Sequence, residues 1–117
     1  MKMNLVCRVL SVLVFAACLC GCRSAPPPLY SWGGYETQVY AYLKGESRGP
    51  QIVTLERDLE KIRADGKAVP PGFYAHLGLL YAENDDAAKA IACFQVEKDR
   101  FPEAAAFMDF LLGRYGK

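Results

Sequence analysis

Residues 74–81 read Tyr-Ala-His-Leu-Gly-Leu-Leu-Tyr, and they are followed by Ala-Ile-Ala-Cys-Phe at residues 90–94 and by Pro102. Gly78 and Ala90 are small residues at positions where two antiparallel helices can approach each other closely. Pro102 should end the second helix, because proline lacks a backbone N–H and clashes with the preceding turn. The spacing therefore predicts a helical hairpin in this part of the chain.

The turn of this hairpin is predicted at Asn84-Asp85-Asp86, where polar residues interrupt the apolar pattern. Asp86 is expected to cap the helix that starts at Ala87, since an Asp carboxylate accepts hydrogen bonds from the free N–H groups of a first turn. A calcium site at the same three residues is a poorer interpretation, because the longer pattern of oxygen ligands is missing.

These residues together resemble the tetratricopeptide repeat, whose pattern W-x₂-L-G-x₂-Y, A-x₃-F and P extends over about 34 residues. The match covers residues 71–104, with Tyr74 in place of the usual Trp and Glu97 where the repeat prefers Ala. A shift by one repeat length aligns Tyr40 and Leu43 with the start of the repeat, but the second half of that comparison fails. The preceding helices are therefore at best a decayed copy.

Two helices are predicted before the repeat, because apolar residues recur there at helical spacing. Gly45 and Gly49-Pro50 should end the first helix, and Gly66 should cap the C-terminus of the second. The apolar face of the first helix has Tyr35, Val39, Tyr42 and Leu43. That of the second has Ile52, Leu55, Leu59 and Ile62.

The second helix also carries a run of mixed charges, which we interpret as a solvated face and not as a ligand site. Ion pairs three residues apart are expected for Asp58 with Lys61 and for Glu60 with Arg63. The members of the run are Glu56, Arg57, Asp58, Glu60, Lys61 and Arg63.

The last predicted helix, Ala104–Leu112, is apolar on nearly every side, and such a helix expects burial on most of its faces. Either the N-terminal aromatic residues or another chain should cover it, and we favour a partner or self-association. The predicted fold is all-α, with tetratricopeptide-like antiparallel hairpins and about five helices in a domain at residues 35–117.

The first 21 residues have the features of a secretory signal: two basic residues, no acidic residue and a short apolar run. A membrane-spanning helix needs about 20 apolar residues, and the run between Arg8 and Arg23 is too short. We therefore predict a signal peptide at residues 1–21.

Leu19-Cys20-Gly21-Cys22 resembles the bacterial lipobox, although Cys at its middle position is unusual. The resemblance implies that Cys22 becomes the first residue of the mature protein and carries the acyl chains that anchor it in the lipid bilayer. Cys18 is the alternative acceptor. Arg23 is not the Asp that marks inner-membrane retention, which favours the periplasmic leaflet of the outer membrane.

Residues 22–34 are predicted to be a tether, with an extended segment at Pro26-Pro27-Pro28. Tyr30, Trp32 and Tyr35 then surround a Gly pair. These rings could form an exposed surface for a partner or for the membrane, but we favour the packing of Trp32 on the first helix because a small domain needs its large apolar side chains.

Cysteine usage excludes an intramolecular disulfide once the signal peptide is removed and Cys22 is acylated, because only Cys93 remains. Cys93 lies in an apolar stretch, and we interpret it as a buried small residue and not as a reactive thiol. An intermolecular bridge is the remote alternative.

Four motifs extend this pattern over the whole mature chain: Tyr-x-Trp-Gly-x-Tyr at 30–35, Pro-Pro-Gly at 70–72, Ala-His-Leu-Gly-Leu-Leu-Tyr at 75–81 and Phe-Pro-Glu at 101–103. Together they resemble a domain-of-unknown-function family of small uncharacterised outer-membrane lipoproteins in proteobacteria. The resemblance implies an outer-membrane lipoprotein, often encoded beside a lipoprotein similar to the curli secretion channel. It implies no catalytic residues.

The composition excludes several classes of function. Fourteen basic and 13 acidic residues give a formal net charge of +1, which argues against nucleic acid as a partner. No cofactor, metal site or enzymatic activity is expected, because His76 is the only histidine and no catalytic triad, CxxC pair outside the signal region or phosphate loop is present. His76 is expected to be half-exposed. An enzyme with a cluster around His76 and Glu83 is a distant third interpretation.

The leading functional hypothesis is a protein–protein interaction module, an accessory subunit of an envelope or secretion-related assembly. The groove of the repeat should accept an apolar helix or peptide face. The alternative is a purely structural lipoprotein that forms a homo-oligomer or contacts peptidoglycan without a dedicated partner. The candidate partner-binding residues are Ala75, Leu79, Ala82, Glu83, Phe107, Phe110 and Leu111.

Overall fold

The structure is a computed structural model that describes residues 3–4, 6–10, 12 and 25–116. Cys22, the predicted lipidation site, and most of the predicted signal peptide lie outside these residues. From residue 25 onward the regular elements are α1 (Tyr35–Leu43), α2 (Arg48–Ala64), α3 (Phe73–Ala82), α4 (Ala87–Arg100), a 3₁₀ turn (Pro102–Ala104) and α5 (Ala105–Tyr115).

The prediction of an all-α fold with about five helices is confirmed. Within the described ranges the chain forms no strand, and its only β-type pairing is an isolated bridge between Tyr30 and Ala68. No helix among the described residues has the length and apolar character needed to span a membrane.

Each helix packs against the next one along the chain: α1 on α2, α2 on α3, α3 on α4 and α4 on α5. Nearest-neighbour packing of this kind is typical of helical solenoids, in which each pair of helices buries its apolar faces against the pairs beside it. In this arrangement α1, α3 and α5 line one common groove.

Helices α3 and α4 approach each other closely at Gly78. A Cβ atom at Gly78 would lie 2.5 Å from Cε1 of Phe94 and 3.2 Å from the carbonyl oxygen of Ala90. Phe94 and Ala90 are both completely buried, so neither has room to move away. The predicted close approach of the two helices at Gly78 and Ala90 is therefore present.

The core combines the apolar faces of α2, α3, α4 and α5. The stripe predicted on α2 is confirmed, since all four of its members are buried. The core cluster consists of Ile52, Leu55, Leu59, Ile62, Val69, Phe73, Tyr74, Leu77, Leu80, Tyr81, Ala90, Phe94, Met108 and Leu111.

Two predicted helix ends are confirmed. At the end of α2, Gly66 donates to the carbonyl oxygen of Arg63 and Lys67 donates to that of Ile62, the paired bonds of a Schellman motif. At the start of α4, the Asp86 carboxylate accepts the N–H of Lys89 at 3.1 Å, so Asp86 is the N-cap of the helix that begins at Ala87.

Two details of the first predicted helix were wrong. Gly49 and Pro50 do not end α1; they lie in the first turn of α2, where proline is tolerated because the first N–H groups of a helix have no partner inside it. Leu43 was assigned to the apolar face but is 75% exposed, and Ala41 is the buried residue of α1 instead.

The two ion pairs predicted on α2 are also absent from the described residues. Asp58 instead accepts the backbone N–H of Gly34 at 2.8 Å, which fixes the turn that leads into α1. Arg63 donates to the hydroxyl of Tyr74 at 3.1 Å. These charges hold neighbouring elements together, and that role could not be read from the spacing along one helix.

The aromatic residues before α1 form a short chain of rings. Trp32 packs on Tyr35 with the ring centroids 5.9 Å apart, and Tyr35 stacks on Phe73 of α3 at 5.6 Å. Trp32 therefore packs on the first helix as favoured, although it is still partly exposed. Phe107 and Phe110 of the last helix are still exposed, so the N-terminal aromatic residues leave its outer face uncovered.

Candidate functional site

An apolar groove of about 360 Å³ lies between α1, α3 and α5. Its floor is formed by Ala75 and Leu79 of α3, and Val39 of α1 lies along one wall. Phe107 and Met108 of α5 form the opposite wall, so that the groove is bounded by three helices. We call this surface the α1–α3–α5 groove.

One end of the groove is formed by a buried carboxylate. Glu97 of α4 is only 1% exposed, and it accepts the backbone N–H groups of Gly72 at 2.5 Å, Tyr74 at 3.2 Å and Ala75 at 3.3 Å. These are free N–H groups at the start of α3, whose positive dipole end favours a negative charge. A negative charge in the core is thus fully hydrogen-bonded.

The other end of the α3 helix is tied to α1 and α2 through Glu83. Its carboxylate accepts the Tyr42 hydroxyl at 2.6 Å and forms an ion pair with Arg48 at 2.7 Å. The Tyr42 hydrogen bond, together with the Arg48 guanidinium, lowers the pKa of Glu83 below its ordinary value. Glu83 therefore holds helices together and is not free to anchor a partner in this arrangement.

Six of the seven predicted partner-binding residues divide into three groups. Ala75, Leu79 and Phe107 line the groove together. Ala82 and Glu83 lie just beyond it, and Ala82 packs against the core. The exposed Phe110 of α5 stacks on Phe107, with the centroids 6.4 Å apart.

Leu111 was a wrong choice for a partner-binding residue, because it is 4% exposed and belongs to the core cluster. The physical reason is that α5 buries one face, with Met108 and Leu111, on the rest of the domain. The sequence of α5 is apolar on all sides and gives no sign of which face that is.

The sequence interpretation missed most residues of the groove, among them Tyr35, Val39 and Met108. Tyr35 and Val39 were recognised as an apolar helix face but were not assigned to a site, and Met108 was not singled out. Their helical spacing was the available signal. Which helices share a groove follows only from the order in which they pack.

His76 is not half-exposed as predicted; it is 7% exposed and lies beneath α1. Its ring meets those of Tyr35 and Tyr42 edge-on, with centroids 5.9 and 5.4 Å away. Nε2 of His76 is buried and has no hydrogen-bond partner in the part of the chain that the structure describes. Burial lowers the pKa of His76, and the Gln38 backbone and the Glu83 charge offset that effect in part.

We expect the protein to lose stability as the pH falls from 7 to 5. An unfolded histidine takes up a proton near pH 6.5, whereas the folded state resists protonation of His76, so the free energy of unfolding falls below that pH and is fully retained above it. Glu83 acts in a separate window, because its contribution is lost only below its ordinary pKa of 4.5.

Urea denaturation at pH 5, 6, 7 and 8 would measure this effect. The control is His76→Phe, which keeps an aromatic ring beneath α1 and removes the chain's only imidazole. Its free energy of unfolding should change less between pH 7 and 5 than that of the native sequence. An equal decline in both proteins would contradict the assignment to His76.

A second cavity, of about 470 Å³, lies between α2, α3 and α4. Three of the four charged residues that line it are already engaged: Tyr81 donates to the Glu56 carboxylate, Lys89 lies 3.8 Å from Glu56, and Arg63 binds the Tyr74 hydroxyl. We therefore regard the α1–α3–α5 groove, and not this cavity, as the candidate site.

Cys93 lines this second cavity and is half-buried. Burial raises the pKa of its thiol to about 11, which keeps the thiol protonated at neutral pH. This environment fits the interpretation of Cys93 as a packing residue.

The described residues contain no group of three or more His, Cys, Asp or Glu side chains that could hold a metal ion. At the turn where calcium was considered, Asp86 caps α4 and pairs with Lys89 at 3.6 Å. Asp85 adopts a left-handed backbone conformation with φ of 61°.

The fold and the groove define a small all-α protein in which short helices pack in chain order and leave an apolar groove open. Residues 29–111 match the model of a family described as domain of unknown function (DUF4810), and the chain belongs to this family. No curated protein and no solved structure matches the chain. The predicted resemblance to a domain-of-unknown-function family is thus confirmed, while lipidation and the tetratricopeptide-like repeat stay predictions.

Proposed function

We propose that the protein is a lipid-anchored interaction module of the outer membrane, an accessory subunit of an envelope or secretion-related assembly. Its α1–α3–α5 groove binds the apolar face of a helix from another envelope protein. The observation that carries this proposal is the groove itself, an open apolar surface with half-buried walls in a domain that has few large side chains to spare.

The chemistry of the groove favours a helix over an extended peptide. The charged residues that line it are Glu97 and Glu103, and no Lys, Arg, Asn or Gln is found among its described lining residues. Glu97 is already saturated by backbone N–H groups. An extended peptide would leave its own N–H and C=O groups without partners there, whereas a helix satisfies them internally.

The repeat pattern supports the same proposal. Gly78 and Ala90 give the close helix approach that a tetratricopeptide-like hairpin requires, and the first helix of such a hairpin supplies groove residues such as Ala75 and Leu79. We therefore treat α3 and α4 as one repeat of this kind.

The proposed anchor follows from the lipobox-like sequence at Cys22 and the proline-rich tether after it. Acyl chains on Cys22 would hold the domain at the periplasmic leaflet of the outer membrane. A lipoprotein similar to the curli secretion channel is the partner that the family resemblance suggests.

Site-specific photo-crosslinking of the lipidated protein in intact cells tests this function. A crosslinker at Leu79 on the groove floor should capture one dominant envelope protein, and the captured peptide should have apolar residues spaced three and four positions apart. A crosslinker at Val53, exposed on α2 and away from the groove, is the matched control and should not capture it.

Variants at the same two positions provide the second arm. Leu79→Glu should reduce capture, measured through a crosslinker at Val39, by about tenfold or more, because a buried contact is replaced by a charge. Val53→Glu should leave capture unchanged. Equal capture at both crosslinker positions, or self-crosslinks alone, would contradict a dedicated partner in the groove.

A further inference from the structure

The outward face of α5 carries a continuous stripe of exposed residues. They recur at intervals of three and four positions, so they lie on one side of α5 and of the 3₁₀ turn before it. The opposite face, with Met108 and Leu111, is buried. The members of the exposed stripe are Glu103, Ala106, Phe107, Phe110, Gly113 and Arg114.

The centre of this stripe is apolar and its ends are charged. Phe107 and Phe110 are 55% and 60% exposed and stack on each other with an angle of 13° between their planes. Glu103 lies before the first turn of α5, and Arg114 lies in its last turn. Neither charge takes part in an ion pair with another described side chain.

The stripe occupies the position where the next helix of a solenoid would pack. A terminal helix in such a fold normally has a polar outer face, because nothing covers it. The last helix, α5, breaks that rule, whereas the exposed face of α2, an internal helix, carries Arg57, Glu60 and Lys61 beside Val53.

We propose that α5 pairs with α5 of a second copy of this chain, antiparallel and about a two-fold axis near residues 108 and 109. In this register Phe107 faces Phe110 of the second copy, so that four Phe rings form one cluster. Ala106 and Gly113 flank the cluster, and their small side chains let the two helices approach closely.

Charge complementarity favours a second copy of this chain as the partner of the exposed stripe. The same register places Glu103 opposite Arg114 of the second copy, and the two-fold axis repeats this ion pair at the other end. A parallel arrangement would bring like charges together. The antiparallel arrangement also opposes the two helix dipoles.

This dimer does not depend on the occupant of the α1–α3–α5 groove. Glu103 and Phe107 border both surfaces, but Phe110 does not line the groove. Variants at Phe110 therefore report on the dimer alone, and those at Leu79 on the groove.

Sedimentation equilibrium of the full chain with its lipid, in density-matched detergent micelles, tests the proposal. The native sequence should be dimeric, and Phe110→Asp should raise the dissociation constant by about a hundredfold or more, because it places two charges in the Phe cluster. Val53→Asp, at an equally exposed apolar residue on α2, should leave the dissociation constant unchanged.

Charge reversal tests the two-fold register itself. Glu103→Arg and Arg114→Glu should each weaken the dimer about tenfold, since each turns two attractive contacts into repulsive ones. The combined variant should recover to within about threefold of the native sequence. A monomeric native protein, a dimer that survives Phe110→Asp, or no recovery in the combined variant would overturn the proposal.

Discussion

Replacing Gly78 with alanine is expected to lower the free energy of unfolding by about 3 kcal/mol. The added methyl group would lie 2.5 Å from the Phe94 ring and 3.2 Å from the Ala90 carbonyl oxygen. Phe94 is completely buried, so α3 and α4 must separate to make room. Urea denaturation followed by far-ultraviolet circular dichroism, at a fixed protein concentration, measures the change.

Gly49→Ala is the matched control for this prediction. Gly49 also lies in a helix, but a Cβ atom there would meet nothing within 4 Å. Alanine has the higher helix propensity, so Gly49→Ala should leave stability unchanged or raise it by about 0.5 kcal/mol. Similar losses of stability at both glycines would show that α3 and α4 have room for a methyl group at Gly78.

Removal of the Glu97 carboxylate should be about as damaging. In Glu97→Ala three backbone N–H groups, those of Gly72, Tyr74 and Ala75, lose their acceptor, and a cavity replaces the side chain. We expect a loss of about 3 kcal/mol in the free energy of unfolding. Thermal and urea denaturation would both reveal it.

Two further variants separate charge from shape. Glu97→Gln keeps the size of the side chain, but its NH₂ group cannot accept a hydrogen bond, so the loss should be about 1–2 kcal/mol. Glu60→Gln, at an exposed site on α2, should change stability by less than about 0.5 kcal/mol. If Glu97→Gln were as stable as the native protein, the negative charge would have no part in capping α3.

The sequence predicted the features of this fold that depend on nearby residues. The stripe on α2, the C-terminal cap at Gly66 and the Asp86 cap each involve residues of a single helix and its ends. The close approach at Gly78 was predicted as well, because the repeat pattern encodes contacts between two helices joined by a short turn. Features of this kind can be predicted from the residues that are near one another along the chain.

The features that the sequence did not predict depend on which surfaces meet. Glu97 reaches N–H groups more than 20 positions away, so its spacing along α4 gives no sign of its role. Leu111 and Phe110 are equally apolar neighbours, and only packing makes one a core residue and the other an exposed one. His76 is buried because α1 folds over it, an arrangement set by tertiary contacts.

The sequence predicted only the part of the candidate site that lies on one helix. Ala75 and Leu79 were predicted because they lie four positions apart on the first helix of the repeat. Val39 and Met108 belong to helices outside the repeat, and their contribution depends on α1 and α5 packing beside α3. The spacing of residues along one helix does not indicate which other helices pack beside it.

The bond network of Glu97 also determines how the α3–α4 hairpin comes apart. A helix ordinarily frays from its first turn, where the amide groups exchange quickly with solvent. Here the first turn of α3 is fastened to α4, and the opposite end of the hairpin is closed by the turn at Asp86. Because both ends are fixed by these bonds, we expect the hairpin to unfold as one cooperative unit, with its amide groups exchanging together.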